Sequence, residues 1–363
     1  MKFTIEQQDF NAALSRVVGT VQQKNLIPVL GNVLISASDG RISLTTSDLD
    51  IQVTTYVPAN VETEGATTVS ARLLNDIVKK LSKGKLVSFV ASGGSATVSS
   101  GRSVLDLATL PEEDFPKIAT EVYQSSFTTE QSEFKRLFDV TSFAMSTEEA
   151  RYYLNGVYLH PFENKARAVS TDGHRLAQAD SGIVSGDFAG IIVPSKTVGQ
   201  IRALSIGESE EVIVSISETK IRADFGHTVI VSKVIDGSFP NYKRVIPSKL
   251  DKIATVDASD LKRAAELVAL VSNERSKAVK ISLATGLVSL EVNSGIEKGI
   301  EEVDASYDGP DFEIGINAKY LSDILMQCNG DNAIMHFGTS GDAMKIVPSD
   351  DDLVLFVAMP MRL

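Results

Sequence analysis

Cysteine is almost missing from this chain. Cys328 stands alone among 363 residues. It cannot form an internal disulfide, which suits a reducing compartment. Long apolar runs are missing too. No stretch reaches the ~18 residues of a membrane helix, and no basic-then-apolar leader precedes the first strand. The expectation is a cytoplasmic protein that does not span a membrane. There is no G-x-x-x-x-G-K-[ST] loop, so no P-loop nucleotide site. There is no G-x-S-x-G nucleophile elbow. His160, His174, His227 and His336 are scattered, without H-E-x-x-H or H-x-x-H spacing. No zinc site and no cofactor are expected. Positive charge is also short: 35 Lys and Arg against 47 Asp and Glu leave a net charge of -12. Taken alone, that disfavours a nucleic-acid partner.

What the chain does contain is a threefold repeat. Thr4-Ile5-Glu6-Gln7-Gln8-Asp9-Phe10 returns as Thr128-Thr129-Glu130-Gln131-Ser132-Glu133-Phe134. It returns again as Thr255-Val256-Asp257-Ala258-Ser259-Asp260-Leu261. A period of about 125 positions is that of a repeated domain, not of a solenoid unit. In each copy a strand-like start runs into an amphipathic helix. The apolar stripe is Phe10, Ala13, Leu14, Val17; then Phe134, Leu137, Phe138; then Leu261, Ala264, Ala265, Val268. That spacing gives a helix with one buried face. Three domains follow, at 1–123, 124–252 and 253–363, each large enough to bury a core. The composition, 43% hydrophobic and 23% charged, is that of an ordinary soluble globular protein.

The domains share one script. In the first, alternating strands over 32–38 and 41–46 are joined by Asp39-Gly40, a tight hairpin signal. A second helix starts behind Ser70, with Leu73, Leu74, Ile77, Val78 and Leu81 as its predicted buried face. Ser195 and Asn317 hold the same cap-type place in the other copies. Gly93-Gly94 and the stretch 338–341 read as hairpin turns. Asp114-Phe115-Pro116 closes the first domain, Ser238-Phe239-Pro240 the second, and Ala358-Met359-Pro360 the third. The fold class is α+β, with each domain a doubled unit of one helix plus antiparallel strands. Predicted helices over 7–18, 72–85, 131–140, 195–206, 259–271 and 317–327 together carry a net of about six positive charges. The acidity therefore lies in strands and loops. A chain built this way can offer helices to a polyanion and repel it elsewhere.

One stretch looks like a site: Ser170-Thr171-Asp172-Gly173-His174-Arg175-Leu176, with Arg151-Tyr152-Tyr153-Leu154-Asn155-Gly156 shortly before it. Asp172, His174 and Arg175 invite a cytosolic hydrolase or transferase, with His174 as base and Asp172 orienting it. No Ser or Cys nucleophile stands beside them. Ser47-Asp48-Leu49-Asp50 is the aligned stretch of the first copy, so the turn belongs to the scaffold. A structural turn, a binding rim and a catalytic site are the three readings these residues leave open.

Thr171-Asp172-Gly173-His174-Arg175-Leu176, Arg151-Tyr152-Tyr153-Leu154-Asn155-Gly156, Asp114-Phe115-Pro116 and the terminal Met359-Pro360-Met361-Arg362-Leu363 resemble the bacterial sliding clamps, the beta subunits of DNA polymerase III. Met1-Lys2-Phe3-Thr4 and Leu30-Gly31-Asn32 fit as well, and the resemblance covers the whole chain in order. It implies a head-to-tail homodimer whose clamp domains close into a ring around duplex DNA, with helices inside and a continuous sheet outside. Such a ring is a processivity factor and not an enzyme. It tethers the replicative polymerase, and a separate ATP-driven loader opens it. Contacts to DNA would be to phosphate, independent of sequence and salt-sensitive. On the partition above, the helices of two chains would bring about twelve positive charges to the hole.

The resemblance also implies sites. A pocket for short hydrophobic client peptides would use Arg151, Tyr153, Leu154, Thr171, Gly173, His174, Arg175, Leu176, Pro240, Arg244, Val245, Asn317, Tyr320, Val357, Met359, Pro360, Met361, Arg362 and Leu363. An apolar slot with flexible Met residues suits varied guests. DNA contacts would fall on Lys24, Arg72, Tyr152, Tyr153, Lys196 and Arg202. The dimer seam would join Arg102, Leu105 and Leu107 to Leu270, Val271, Glu301 and Glu302. Three positions depart from the pattern. Val104 stands where such clamps can carry a second Arg, Lys298 stands opposite an expected acid, and Glu148 takes a place near the DNA face where an uncharged amide is possible.

Overall fold

The structure is a computed structural model. It describes all residues except 23–26, 120, 205–209, 273–276, 294, 296, 329–331 and 363, and all described side chains except that of residue 185. Among the described residues the helices are α1 (Gln7–Val18), α2 (Ala71–Lys80), α3 (Gln131–Thr141), α4 (Ser195–Ala203), α5 (Ala258–Ala269) and α6 (Ala318–Leu325). Each follows directly on a strand, as the repeat predicts. α1 buries Phe10, Ala13, Leu14 and Val17, and α5 buries Leu261, Ala264, Ala265 and Val268. Phe134, Leu137 and Phe138 of α3 are fully buried. These are the stripes read from the sequence.

Contacts divide the chain into two compact units: Met1–Lys135 with Val184–Ala189 and Lys196–Val234, and Arg136–Ile183 with Gly190–Ser195 and Ile235–Leu363. The middle repeat thus contributes to both. The first unit holds a 14-stranded sheet and the second a 12-stranded sheet. Every recorded strand pairing in them is antiparallel. In the first unit the strand Thr228–Lys233 pairs with Ile51–Pro58, joining the middle repeat to the first, with Thr228 opposite Thr55 and Ser232 opposite Ile51. In the second unit the strand Arg175–Ile183 pairs with Val354–Ala358 in the same manner. Asp39 and Gly40 both take positive φ, 49° and 69°, and form the expected two-residue hairpin.

Several local expectations fail, each for a physical reason. Leu73 of α2 is 49% exposed, and the buried residues of that helix are Ala71, Leu74 and Val78. Ile77 and Leu81 are half-buried. A ten-residue helix packs a narrower stripe than the one predicted, and it ends at Lys80, before Lys83 and Lys85. Net helical charge is then two on α2, two on α4 and none on the others, about four per chain instead of six. Asn317 caps α6, accepting from the Lys319 and Tyr320 amides, but the Ser70 side chain makes no cap bond and Ser195 is the first residue of α4 itself.

Two strands lack a partner along most of one side, among the described residues. Ser103–Leu110 pairs with Ser95–Ser100 over Ser103–Ala108, but on its other side only Thr109 and Leu110 are paired. Lys298–Ser306 pairs with Leu287–Asn293 over Lys298–Asp304, but on its other side only Ala305 and Ser306 are paired. Both open stretches carry exposed apolar side chains among polar ones: Val104 is 64% and Ile300 62% exposed, and Leu105 is also on the surface, beside exposed Asp106, Lys298 and Glu302. Leu107 instead faces its own core. An open apolar strand edge is a template for another chain.

Candidate functional site

The turn Asp172-Gly173-His174 links the strands Lys165–Thr171 and Arg175–Ile183. Its shape is written in its side chains. The Asp172 carboxylate accepts from the backbone amides of His174 (2.9 Å) and Arg175 (3.0 Å), and Gly173 takes a positive φ of 89°. The Thr171 hydroxyl accepts from the Gly173 amide and donates to the Arg175 carbonyl. Such a loop needs Asp at its head and a residue tolerant of positive φ at its centre.

Behind the turn, a cavity of about 210 Å³ opens in the second unit. Its wall follows from register: Leu176 stands directly opposite Val357 on the neighbouring strand, and both are buried. Directly opposed residues share a face, so their side chains form one apolar surface. Leu154, at the end of a 3-10 segment bent at Arg151, closes one end. Tyr242 and Val245, from a second 3-10 turn after Pro240-Asn241, close the other. Met359 lies over the opening, its amide bonded to the His174 carbonyl at 2.9 Å, and the Met361 amide is bonded to the Gly315 carbonyl at 2.8 Å. The last strand therefore hands the chain's end across the site.

Charge surrounds the slot, and one charged residue, Arg175, lines it. Arg175 donates through Nε to Asp172 (3.0 Å) and through Nη1 to Asp323 of α6 (2.6 Å), beneath the Tyr320 ring. Arg151 grips Glu148 with two bonds, at 2.9 and 2.5 Å. That grip holds the Glu148 carboxyl below its ordinary range. Arg151 also lies over Gly173, where an added Cβ would meet its Nη1 at 2.7 Å. Under the slot, the Tyr242 hydroxyl is bonded to His160 Nε2 at 3.0 Å, and burial pushes the His160 imidazole below its usual value. A bidentate Arg167–Asp180 pair, at 2.5 and 2.7 Å, lies beside it.

Of the positions expected at the peptide pocket, Leu154, Thr171, Gly173, Arg175, Leu176, Pro240, Val245, Val357 and Met359 line this cavity. Arg151 and Tyr320 stand at its border through their contacts with Gly173 and Arg175. His174 stacks its ring on Tyr320 at 6.1 Å. Tyr153, Arg244, Asn317, Pro360, Met361 and Arg362 lie outside the lining, and Leu363 lies outside the described residues. Asn241 and Tyr242 were missed. The signal was there: a Pro-Asn turn leading into an aromatic, just after the repeated Phe-Pro. The catalytic alternative finds no support. Asp172 spends both carboxylate oxygens on the backbone amides and on Arg175, not on the His174 ring.

Among the residues expected at DNA, Tyr152 is exposed and Arg72 is bonded to the Val21 carbonyl at 2.8 Å. Lys196 is ion-paired with Asp48, and the Arg202 carbonyl accepts from Lys135. Lys24 lies outside the described residues. Near the expected seam, Leu270 is 79% exposed, and Arg263 reaches Glu301 at 3.4 Å. Val104 and Lys298 are both exposed. No group of three or more His, Cys, Asp or Glu among the described residues is placed to hold a metal. None of the described helices is long and apolar enough to cross a membrane.

Three family models match in order. Residues 1–119 match the N-terminal domain of the DNA polymerase III beta subunit, 128–241 its central domain, and 243–362 its C-terminal domain. The chain belongs to the DNA polymerase III beta subunit family. It is 40% identical over 371 residues to the beta sliding clamp of Caulobacter vibrioides and 35% identical over 366 residues to that of Escherichia coli, with 100% of both chains covered each time. Among solved structures it resembles the sliding clamp of Bartonella birtlesii bound to griselimycin, with TM-score 0.94, 38% identity and full coverage of both chains. A Pseudomonas aeruginosa clamp bound to griselimycin gives TM-score 0.95 at 35% identity, again over all of both chains. As in that family, three clamp domains of helix and antiparallel sheet make up the chain.

Proposed function

We infer that this protein is the processivity clamp of a bacterial replicative polymerase, acting by topology and not by catalysis. Family membership over the full length carries the reading. Clamp domains at 1–123, 124–252 and 253–363 form a homodimer that closes head to tail around duplex DNA. The open strand Ser103–Ala108 of one chain adds to the open strand Lys298–Asp304 of the other. Leu105 and Val104 then meet Ile300 and Leu270, four exposed apolar side chains with no other evident use. A heterologous contact that closes on itself leaves no free edge. Arg102 flanks one side, and Glu301, Glu302 and Val271 flank the other. The chemistry of the seam is more apolar than a pattern with Arg at 104 would make it.

The duplex sits against the helices, and its expected contacts are Arg72, Lys196, Arg202, Tyr152, Tyr153 and, outside the described residues, Lys24. Two chains supply about eight net positive helical charges, fewer than the twelve expected from sequence, within a chain of net charge -12. Client proteins dock short hydrophobic peptides in the slot between Leu176, Val357 and Tyr242. One buried Leu or Phe side chain contributes about 1.5–3 kcal/mol, so two anchors supply about 3–6 kcal/mol of the ~8 kcal/mol that micromolar binding needs, and the rim contacts supply the rest. The flexible Met359 adapts the slot to different guests. His174, Arg175, Arg244, Asn317, Tyr320 and Arg362 meet the peptide's polar parts, and Pro360, Met361 and, outside the described residues, Leu363 complete the expected contacts. A separate ATP-driven loader opens the ring, and the cytoplasm is where it acts. The particle mass tests closure: two chains of 39.0 kDa are expected by sedimentation equilibrium, and a single-chain mass at all concentrations would reject it.

A further inference from the structure

The turn that builds the client slot occurs twice. In the first unit, Asp48 Oδ1 accepts from the Asp50 and Ile51 amides, as Asp172 Oδ1 does from His174 and Arg175. The Ser47 hydroxyl accepts from the Leu49 amide, as Thr171 does from Gly173. The Lys233 amide bonds the Asp50 carbonyl at 2.8 Å, as the Met359 amide bonds that of His174. Behind this first-copy turn there is also a cavity, about 250 Å³ against 210 Å³. Pro116 and Ile118 line it where Pro240 and Tyr242 line the other.

Architecture and size are thus shared, while the chemistry has changed. Lys233 takes the place of Met359, Lys117 that of Asn241, and Lys220 joins the lining. We propose that this cavity is a second docking site, which takes an acidic peptide segment: a leucine-type side chain over Leu49 and Ile118, and carboxylates on Lys117 and Lys233. The proposal rests on reading the Leu176 cavity as the client slot.

Charge complementarity selects the occupant. The lysines converge here in a chain of net charge -12. The lining Lys220 already holds one carboxylate from beside the cavity: Glu121 accepts from Lys220 at 2.7 Å and from the Ser217 and Thr219 hydroxyls. Lys233 is paired with Asp50, whose side chain is 73% exposed. Exposed pairs are worth about 0–1 kcal/mol, so an incoming carboxylate exchanges readily for Asp50. Leu49 adds an independent sign. It takes a φ of 78°, a conformation costly for a bulky residue, at the point where the other copy uses glycine. That strain places an apolar side chain at the cavity mouth. A phosphate backbone would have no use for Leu49, Pro116 and Ile118, which favours a peptide over a nucleic acid.

The test uses the full chain and fluorescein-labelled hexapeptides read by anisotropy. The acidic probe is Glu-Glu-Leu-Glu-Glu-Leu, its neutral control Gln-Gln-Leu-Gln-Gln-Leu, and the apolar probe Ala-Leu-Leu-Ala-Leu-Phe. The acidic probe should saturate, bind at least about tenfold more tightly than the neutral one, and lose about tenfold in Lys117→Asn with Lys233→Met, the loss expected for two exposed ion pairs. Gly173→Leu should abolish binding of the apolar probe and leave the acidic one unchanged. In the unsubstituted chain, added salt should weaken only the acidic probe, so the question is answered even where a variant folds poorly. Absence of saturation, equal affinity in the lysine variant, or loss of the acidic probe in Gly173→Leu would overturn the second site. So would its displacement by a short duplex, which would assign the lysines to DNA. If instead the apolar probe ignores Gly173→Leu, the client-slot reading fails, and that result is distinct.

Discussion

Arg175 ties the proposed client slot to α6, and replacing it with methionine isolates what the tie contributes. Methionine keeps most of the apolar stem and deletes the charge. Two carboxylates then lose their cation: Asp172, bonded at 3.0 Å, and Asp323, bonded at 2.6 Å. The side chains are 11%, 16% and 20% exposed for Arg175, Asp172 and Asp323. Removing one partner of a fully buried pair costs about 3–5 kcal/mol. Here the cost is lower, because Asp172 keeps its two backbone donors and Asp323 keeps Lys319 at 3.3 Å. The expected destabilisation by urea unfolding is about 2–3 kcal/mol. Asp323→Asn closes a double-mutant cycle, with an expected coupling of about 1–2 kcal/mol. Client-peptide affinity should fall in the same variant, since Arg175 lines the slot. A cost below about 0.5 kcal/mol, or a cycle with no coupling, would show that this network is only a surface decoration.

Further outcomes follow from the same geometry. Burial lowers the His160 pKa, so its contribution to stability is present above the ordinary value of 6.5 and is lost as pH falls from there through the folded value. Unfolding curves between pH 7.5 and 5.5 should show the loss, and His160→Phe should flatten that part of the profile; an unchanged slope would clear His160. Truncation after Ala358 removes Met359 and its bond to the His174 carbonyl, and should abolish apolar-peptide binding while circular dichroism stays native. Unchanged affinity would mean the slot is elsewhere. Leu105→Asp, on the open strand, should shift the particle toward single chains, because it buries an unpaired charge at the seam; an unshifted mass would move the seam.

Much of this was legible in the chain because repeats and periodicity are local signals. The stripes of α1, α3 and α5 and the Asp39-Gly40 hairpin lie where spacing and turn chemistry put them. Leu73 did not, because which leucines of a short helix face inward depends on its neighbours. The slot was half legible. Thr171 to Leu176 announce a turn, but its apolar wall exists only through the pairing of Leu176 with Val357, far apart in sequence. Tyr242 depends on a 3-10 turn, and Asp323 on α6 coming to Arg175, so neither carried a local mark. Glu148 gained its meaning only when Arg151 was found in its grip.

Retention on DNA circles probes linkage most directly. The clamp is loaded by its loader onto a nicked circular plasmid, moved to high salt, and followed as the circle is cut. Slow release from the intact circle and prompt release after linearisation is the expected result, because phosphate contacts are screened while a closed ring is not. Equal release from circle and linear duplex would mean that the protein holds DNA by contact alone, and that two chains do not enclose it.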